Sequence, residues 1–362
     1  YSRTWKHLYG RLVRAALVLI ICDLPAAHKF GGFGGCSHRH FCNVCCTFTS
    51  LQIYRAYSRD TMTHSWVHRT NNDTRQWAQR YADAPKVASA DKFFKKSGQR
   101  WTCLLLLPYF DLSCMIVMDC MHNLFLGVIK EHFHRILGFR VQKNKPYEPE
   151  VAQPPKPTLG YHPGSVTTKD EMETFWRDLG NMIKLSWLTS VPAKVGGNES
   201  DGKLKADQWW VLRLTFIPLS LIPMWSNASP QKQELLKLTM DLVSTVIVAT
   251  LYKTSAEHGQ IYTKHMMAYH SCLQSLFPSY ECHPNHHMSM HIEEYLALYG
   301  PAQGWWAFLF ERAIGQLQRI STNYKPGELQ CLTVFRHLNV SKGEYEETIS
   351  RSWHCRSNFC IC

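Results

Sequence analysis

Two thiols, two imidazoles and two carboxylates stand out in this chain by type and spacing. Cys42-x-x-Cys45 is a chelating pair that a single turn can present, and His286-x-x-x-x-His291 supplies two imidazoles far along the chain. Two thiolates with two neutral imidazoles make up the common closed shell of a structural zinc ion. Asp23 ends an apolar run ahead of the first pair, and Glu311 follows the second. A zinc ion joining the two pairs would also draw Asp23 towards Glu311, and paired carboxylates hold magnesium for phosphoryl chemistry. Other donors crowd both pairs: Cys36, His38, His40 and Cys46 near the first, His270, His283 and His287 near the second. The expected zinc set is Cys42, Cys45, His286 and His291.

The elements that must position these groups can be read from pattern. Arg14 to Cys22 is a short apolar run rich in Leu, Val and Ile, and Asp23-Leu-Pro25 stops it. It reads as a fully buried strand. Lys29-Phe-Gly-Gly-Phe-Gly-Gly35 reads as a flexible glycine loop without the lysine and serine of a phosphate-binding P-loop. Residues 50–100 read as helical and basic. Six prolines between Val141 and Gly164 mark a linker or exposed loop. Thr168-x-x-Glu171 opens a helix with a capping box, expected to run to about Leu188. After a glycine-rich break over 196–202, helices are expected near 204–225, 231–252 and 255–276. Trp305 to Ile320 has one strongly apolar helical face, with Glu311 close to it. Asp119 follows Cys114–Met118, a possible strand, and Asp119-x-x-His122 could form a hydrogen-bonded pair.

Charge separates the function classes. Lys+Arg minus Asp+Glu is 40 − 28 = +12. Residues 1–100 contain 16 Lys+Arg against 5 Asp and no Glu, so 16 − 5 = +11 of that excess lies there. A basic N-terminal third suits a polyanion, most simply nucleic acid. Arg55, Arg59, Lys92, Lys95 and Lys96 are the candidate DNA contacts; aromatic residues interleaved with the basic ones can line a DNA groove, but at helical spacing they are more often core. The 14 cysteines are too few for a disulfide scaffold and suit metal binding in a reducing compartment. No run is long enough to span a membrane. The start at Tyr1 suggests a piece of something longer.

Several strings are specific. Asp23-Leu-Pro-Ala-Ala-His-Lys-Phe-Gly-Gly-Phe33 with His40-Phe-Cys-x-x-Cys45 resembles the Tnp2-type transposases of CACTA (En/Spm) DNA transposons, especially the fungal ones. So do Asp119-Cys-Met-His-Asn-Leu-Phe-Leu-Gly127, Gly202-Lys-Leu-Lys-Ala-Asp-Gln-Trp209, His286-His-x-x-x-His291, and Tyr299-Gly-Pro301 followed by Phe310-Glu-Arg312. The resemblance runs from about Val13 to Gln330.

It implies an α/β fold: a partial RNase H-like (DDE) core interrupted by a large, mostly α-helical insertion. It also implies a zinc site of the form C-x-x-C with H-x-x-x-(x)-H. Asp23 would be the second catalytic aspartate and Glu311 the closing glutamate, both magnesium ligands, with the first aspartate upstream of Tyr1. A rival assignment makes Asp23 first and Asp119 second. The implied organisation is 1–48, second half of the core; 49–140, a basic helical part of the insertion; 141–164, linker; 165–280, helical insertion; 281–330, the zinc histidines and glutamate helix; and 331–362, a divergent tail. The implied activity is metal-dependent cleavage of transposon ends and strand transfer into target DNA, in the nucleus, by a homodimer with structural Zn2+ and catalytic Mg2+. The alternative is a catalytically inactive, zinc-stabilised DNA-binding relic or domesticated protein.

Overall fold

A computed structural model of the chain describes residues 2–46 (save 5, 6 and 13), 57–58, 63–64, 67–139, 166–195 (save 184, 187 and 193) and 204–318 (save 279). Arg55, Arg59, the proline-rich stretch 141–164, the glycine-rich break over 196–202 and the tail 331–362 lie outside the described residues. The chain divides into two compact units, Tyr1–Ala307 and Phe308–Cys362.

The first unit opens with strands β1 (Ser2–Thr4), β2 (His7–Arg11) and β3 (Ile20–Cys22), then helix α1 (Leu24–Gly31). A two-residue ladder, β4 (Tyr57–Ser58) and β5 (Thr63–His64), precedes helices α2 (Asn71–Ala82) and α3 (Val87–Ser97). Strand β6 (Ile116–Met118) leads into wide π-type turns over Met121–Ile129 and His132–Ile136. Then come α4 (Lys169–Asn181), α5 (Ala206–Val211), α6 (Ile217–Trp225), α7 (Pro230–Ala249), α8 (Ala256–Leu276), α9 (Pro284–Ser289) and α10 (Ile292–Tyr299). The second unit contributes α11 (Phe308–Gln318). The architecture is helix-rich and mixed. Among the described residues no helix is long and apolar enough to cross a membrane.

The sheet that matters for the site has two strands. β3 and β6 run parallel, with Ile20, Ile21 and Cys22 opposite Ile116, Val117 and Met118. Parallel strands need a crossover, and here α1, α2 and α3 lie in it. Asp23 and Asp119 each follow the last residue of their strand, and the Asp119 amide donates to the Cys22 carbonyl at 3.0 Å. β6 thus brings residues expected in a helical insertion into the sheet.

The apolar run before Asp23 is not the fully buried strand its composition suggests. Only Ile20–Cys22 pair, and Val18 is 60% exposed. β3 has one strand partner, β6, so its other edge has no partner among the described residues. The glycine segment also differs from a flexible loop. Asp23 caps α1 by accepting from the Ala26 amide at 2.8 Å, Lys29–Gly31 form the last turn, and Gly32 closes the helix with φ of 71°. A Cβ on Gly32 would lie 2.6 Å from the Arg100 carbonyl oxygen, so only glycine fits that approach.

The helical readings hold in outline. Thr168 and Glu171 form the expected capping box of α4, which ends at Asn181 rather than near Leu188. α7 and α8 pack along each other as a hairpin whose shared face buries Leu235, Leu238, Leu242 and Val246 against Tyr262, Met266, Tyr269 and Leu273. α11 begins at Phe308, after a short 3-10 turn over Ala302–Gly304, because Trp305 instead buries itself against Tyr295 with its indole N–H on the Gly300 carbonyl.

Candidate metal centre

The loop Phe41–Cys45 is fully buried, although it is short and polar in backbone. Its amides explain why it can be: Val44 N–H and Cys45 N–H both donate to the Cys42 sulfur at 3.3 Å, so the Cys-x-x-Cys turn folds around that sulfur. Cys45 pairs with His68 and the Cys46 amide donates to the Val67 carbonyl, so the loop is edged by residues 67–69. Asn43, between the cysteines, donates to the Ile116 carbonyl at 3.0 Å and so ties the loop to β6.

Onto this loop fold two histidines from α9 and the turn after it. The Cys42 sulfur is 3.5 Å from His291 Nε2, the Cys45 sulfur is 3.2 Å from His287 Nε2, and the two Nε2 atoms are 3.2 Å apart. The four donor atoms all lie within 4.8 Å of one another, and all four residues are buried. A tetrahedral zinc with Zn–S of about 2.3 Å and Zn–N of about 2.0 Å separates its ligand atoms by roughly 3.3–3.8 Å. The Cys42–His291 edge sits inside that range and the other two just below it. The donor chemistry and spacing fit a metal such as zinc, and Cys42, Cys45, His287 and His291 would hold it. An outer partner is in place as well: His291 Nδ1 lies 2.8 Å from Glu294, which fixes the ring with Nε2 towards the sulfurs.

The expected set therefore gains Cys42, Cys45 and His291, with His287 standing where His286 was expected. The cause is helical periodicity. Residues four apart differ by about 40° around an α-helix, and residues five apart by about 140°. With Pro284 opening α9, His287 and His291 share a side while His286 turns away. His286 Nδ1 instead accepts from the His283 amide at 3.2 Å, capping α9, and its ring packs among His270, Tyr269 and Tyr280. The four-residue spacing from His287 to His291 was the sequence signal that could have chosen His287. Accordingly, His287→Ala is expected to lose bound zinc and His286→Ala to keep about one per chain; elemental analysis of the two purified variants checks it.

The protonation of the cluster follows from its surroundings. Burial raises Cys42, and the neighbouring Cys45 raises it further. Burial also pushes Cys45 up, but hydrogen bonds from Cys42, His287 and His291 outweigh it and hold this thiol far below its ordinary value. His291 is penalised by burial, yet Cys45 and Glu294 raise it to about 9, while burial lowers His287. Without metal, the cluster at neutral pH thus carries one thiolate, one thiol, one imidazolium and one neutral imidazole. Zinc needs two thiolates and two neutral rings, so its binding displaces about two protons. Zinc affinity should therefore rise as the pH rises from 7 towards 9, and calorimetry in buffers of different ionisation heat should count the protons released.

The carboxylates are less accommodating. Asp119 is 0% exposed and its oxygens are taken: Oδ1 accepts from the amides of Met121 and Ala307 at 3.1 and 2.8 Å, and Oδ2 from the His122 amide at 3.1 Å and faces His122 Nδ1 at 2.6 Å. It is a structural staple with the expected His122 partner, and it does not fit the role of a metal-binding triad member. Asp23 is half-buried at the carboxyl end of β3, with Oδ1 engaged in capping. Glu311 lies in the first turn of α11, exposed, in the second unit. Among the described residues of the first unit three carboxylates are not gathered, and no step through magnesium follows from them. Lys92, Lys95 and Lys96 are exposed on α3.

Compared with known protein families, the chain matches no family model, and no curated protein matches it.

Proposed function

We propose that this chain is a zinc-clamped, DNA-handling part of a DDE-type transposase. The observation that supports this most strongly is the buried Cys42, Cys45, His287 and His291 group. It falls within two of the strings that resemble Tnp2-type transposases, and it joins positions 242 and 249 residues apart. A parallel strand pair with an aspartate after each strand also suits part of an RNase H-like sheet. On this reading zinc is structural. Asp23 would be one of the carboxylates holding Mg2+, whose chemistry when bound is to polarise the scissile phosphate.

Fluorescence anisotropy of the zinc-loaded chain with labelled duplex DNA tests the reading. Binding that weakens steeply with salt is the expected result. A chain that binds no DNA at low salt would overturn it.

One observation favours the inactive alternative for the chain in hand: Asp119 is committed to four hydrogen-bond contacts and completes no triad. Nicking of supercoiled DNA by this chain in Mg2+, abolished in Asp23→Asn, would reject the inactive form.

A further inference from the structure

We infer that the cavity between the Cys42–Cys45 loop and the C-terminal end of α3 is a phosphate pocket that takes a backbone phosphate of a DNA strand. This rests on the DNA reading above and assigns it a place. The cavity has a volume of about 500 Å³ and is lined by Arg39, Arg69, Lys95 and Lys96, with Trp77 as an apolar wall and Asp73 as the acidic member. Four cations against one carboxylate leave a strongly positive hollow, which concentrates anions. The volume is that of a ligand site and leaves room for a sugar as well as a phosphate.

The cations come from three separate elements. Lys95 and Lys96 are in the last turn of α3, where they also complement the helix dipole. That bland account covers these two alone. Arg39 comes from the loop before the cysteines and Arg69 from the segment beside them. Arg69 is held as a fixed charge: Nε donates to the Cys42 carbonyl at 2.8 Å, and its terminal nitrogens to the Ser97 and His40 carbonyls at 3.2 Å each. Neutral carbonyls hold the guanidinium in place without cancelling it. Neither Arg69, Lys95 nor Lys96 forms an ion pair with a carboxylate among the described residues.

The pocket is built on the metal loop. Gly98 ends α3 with φ of 69°, and a Cβ there would fall 2.6 Å from the His40 carbonyl oxygen, so the helix end abuts the loop directly. Arg69 then bridges the loop and the helix end. Asp73 is turned partly to the α2 cap, accepting from the Thr70 hydroxyl at 2.8 Å.

The test compares the zinc-loaded full chain with Lys95→Gln/Lys96→Gln and with a control on exposed lysines elsewhere, Lys237→Gln/Lys264→Gln. Binding of a labelled duplex is followed by anisotropy over a salt series, and zinc content confirms that each variant keeps its fold. The slope of log affinity against log salt should fall by about 1–2 in the pocket variant and stay unchanged in the control. An unchanged slope in the zinc-replete pocket variant would overturn the pocket. If the wild type binds no duplex, the DNA reading fails first, and melting with inorganic phosphate separates the two failures. A phosphate-induced rise in Tm that the pocket variant lacks would overturn the assignment to a strand and leave a small-anion site. No rise would overturn the pocket itself.

Discussion

Stripping zinc from this protein is expected to unfold it. The four donor residues are buried and join the loop after α1 to α9 and the turn that follows it. Removing the ion leaves a thiolate and an imidazolium inside the protein, with burial opposing both. A structural zinc contributes on the order of 10 kcal/mol, while whole domains are stable by about 5–15 kcal/mol. The loss is therefore comparable with everything that holds the first unit together. A chelator should abolish the cooperative thermal transition seen by circular dichroism, and added zinc should restore it. Cys42→Ser/Cys45→Ser should behave as the stripped protein does. An unchanged melting curve after verified removal of the metal would mean that apolar packing alone holds the loop in place.

The second large effect is expected at Asp119. In Asp119→Ala the amides of Met121, His122 and Ala307 lose their acceptor. An orphaned buried donor costs about 1–3 kcal/mol, so the variant should lose several kcal/mol. Asp119→Asn should lose less, because one oxygen remains for two of the amides while the new NH2 opposes His122. Urea unfolding gives both numbers, and zinc content shows whether the metal loop survives. Near-wild-type stability in Asp119→Ala, joined to loss of a bound divalent cation, would make Asp119 a ligand rather than a staple.

How far the sequence discloses this arrangement depends on range. Local signals read true: Thr168 and Glu171 box the start of α4, Asp23 stops a strand, and Cys42-x-x-Cys45 folds around its own sulfur, whereas the helix that Asp23 caps went unread behind the glycines. The ligand set was one residue away from legible. Two adjacent histidines look alike until helical spacing chooses between them, because His287 stands four residues before His291 and His286 five. Pairing over long range was hidden. Nothing in Ile116–Met118 announces that it lies beside Ile20–Cys22, because three-residue apolar strands carry too little pattern to specify a partner. The same shortfall made the run up to Cys22 look fully buried, since hydrophobicity cannot reveal that a strand has one neighbour rather than two. The role of Asp119 was equally non-local: its fourth contact comes from Ala307, 188 positions away.

The central claim is the metal centre, and X-ray absorption at the zinc edge on the purified full chain tests it most directly. Two sulfurs at about 2.3 Å and two imidazole nitrogens at about 2.0 Å are the predicted shell. Zinc absent from folded protein, or a shell lacking two sulfurs, would contradict the account.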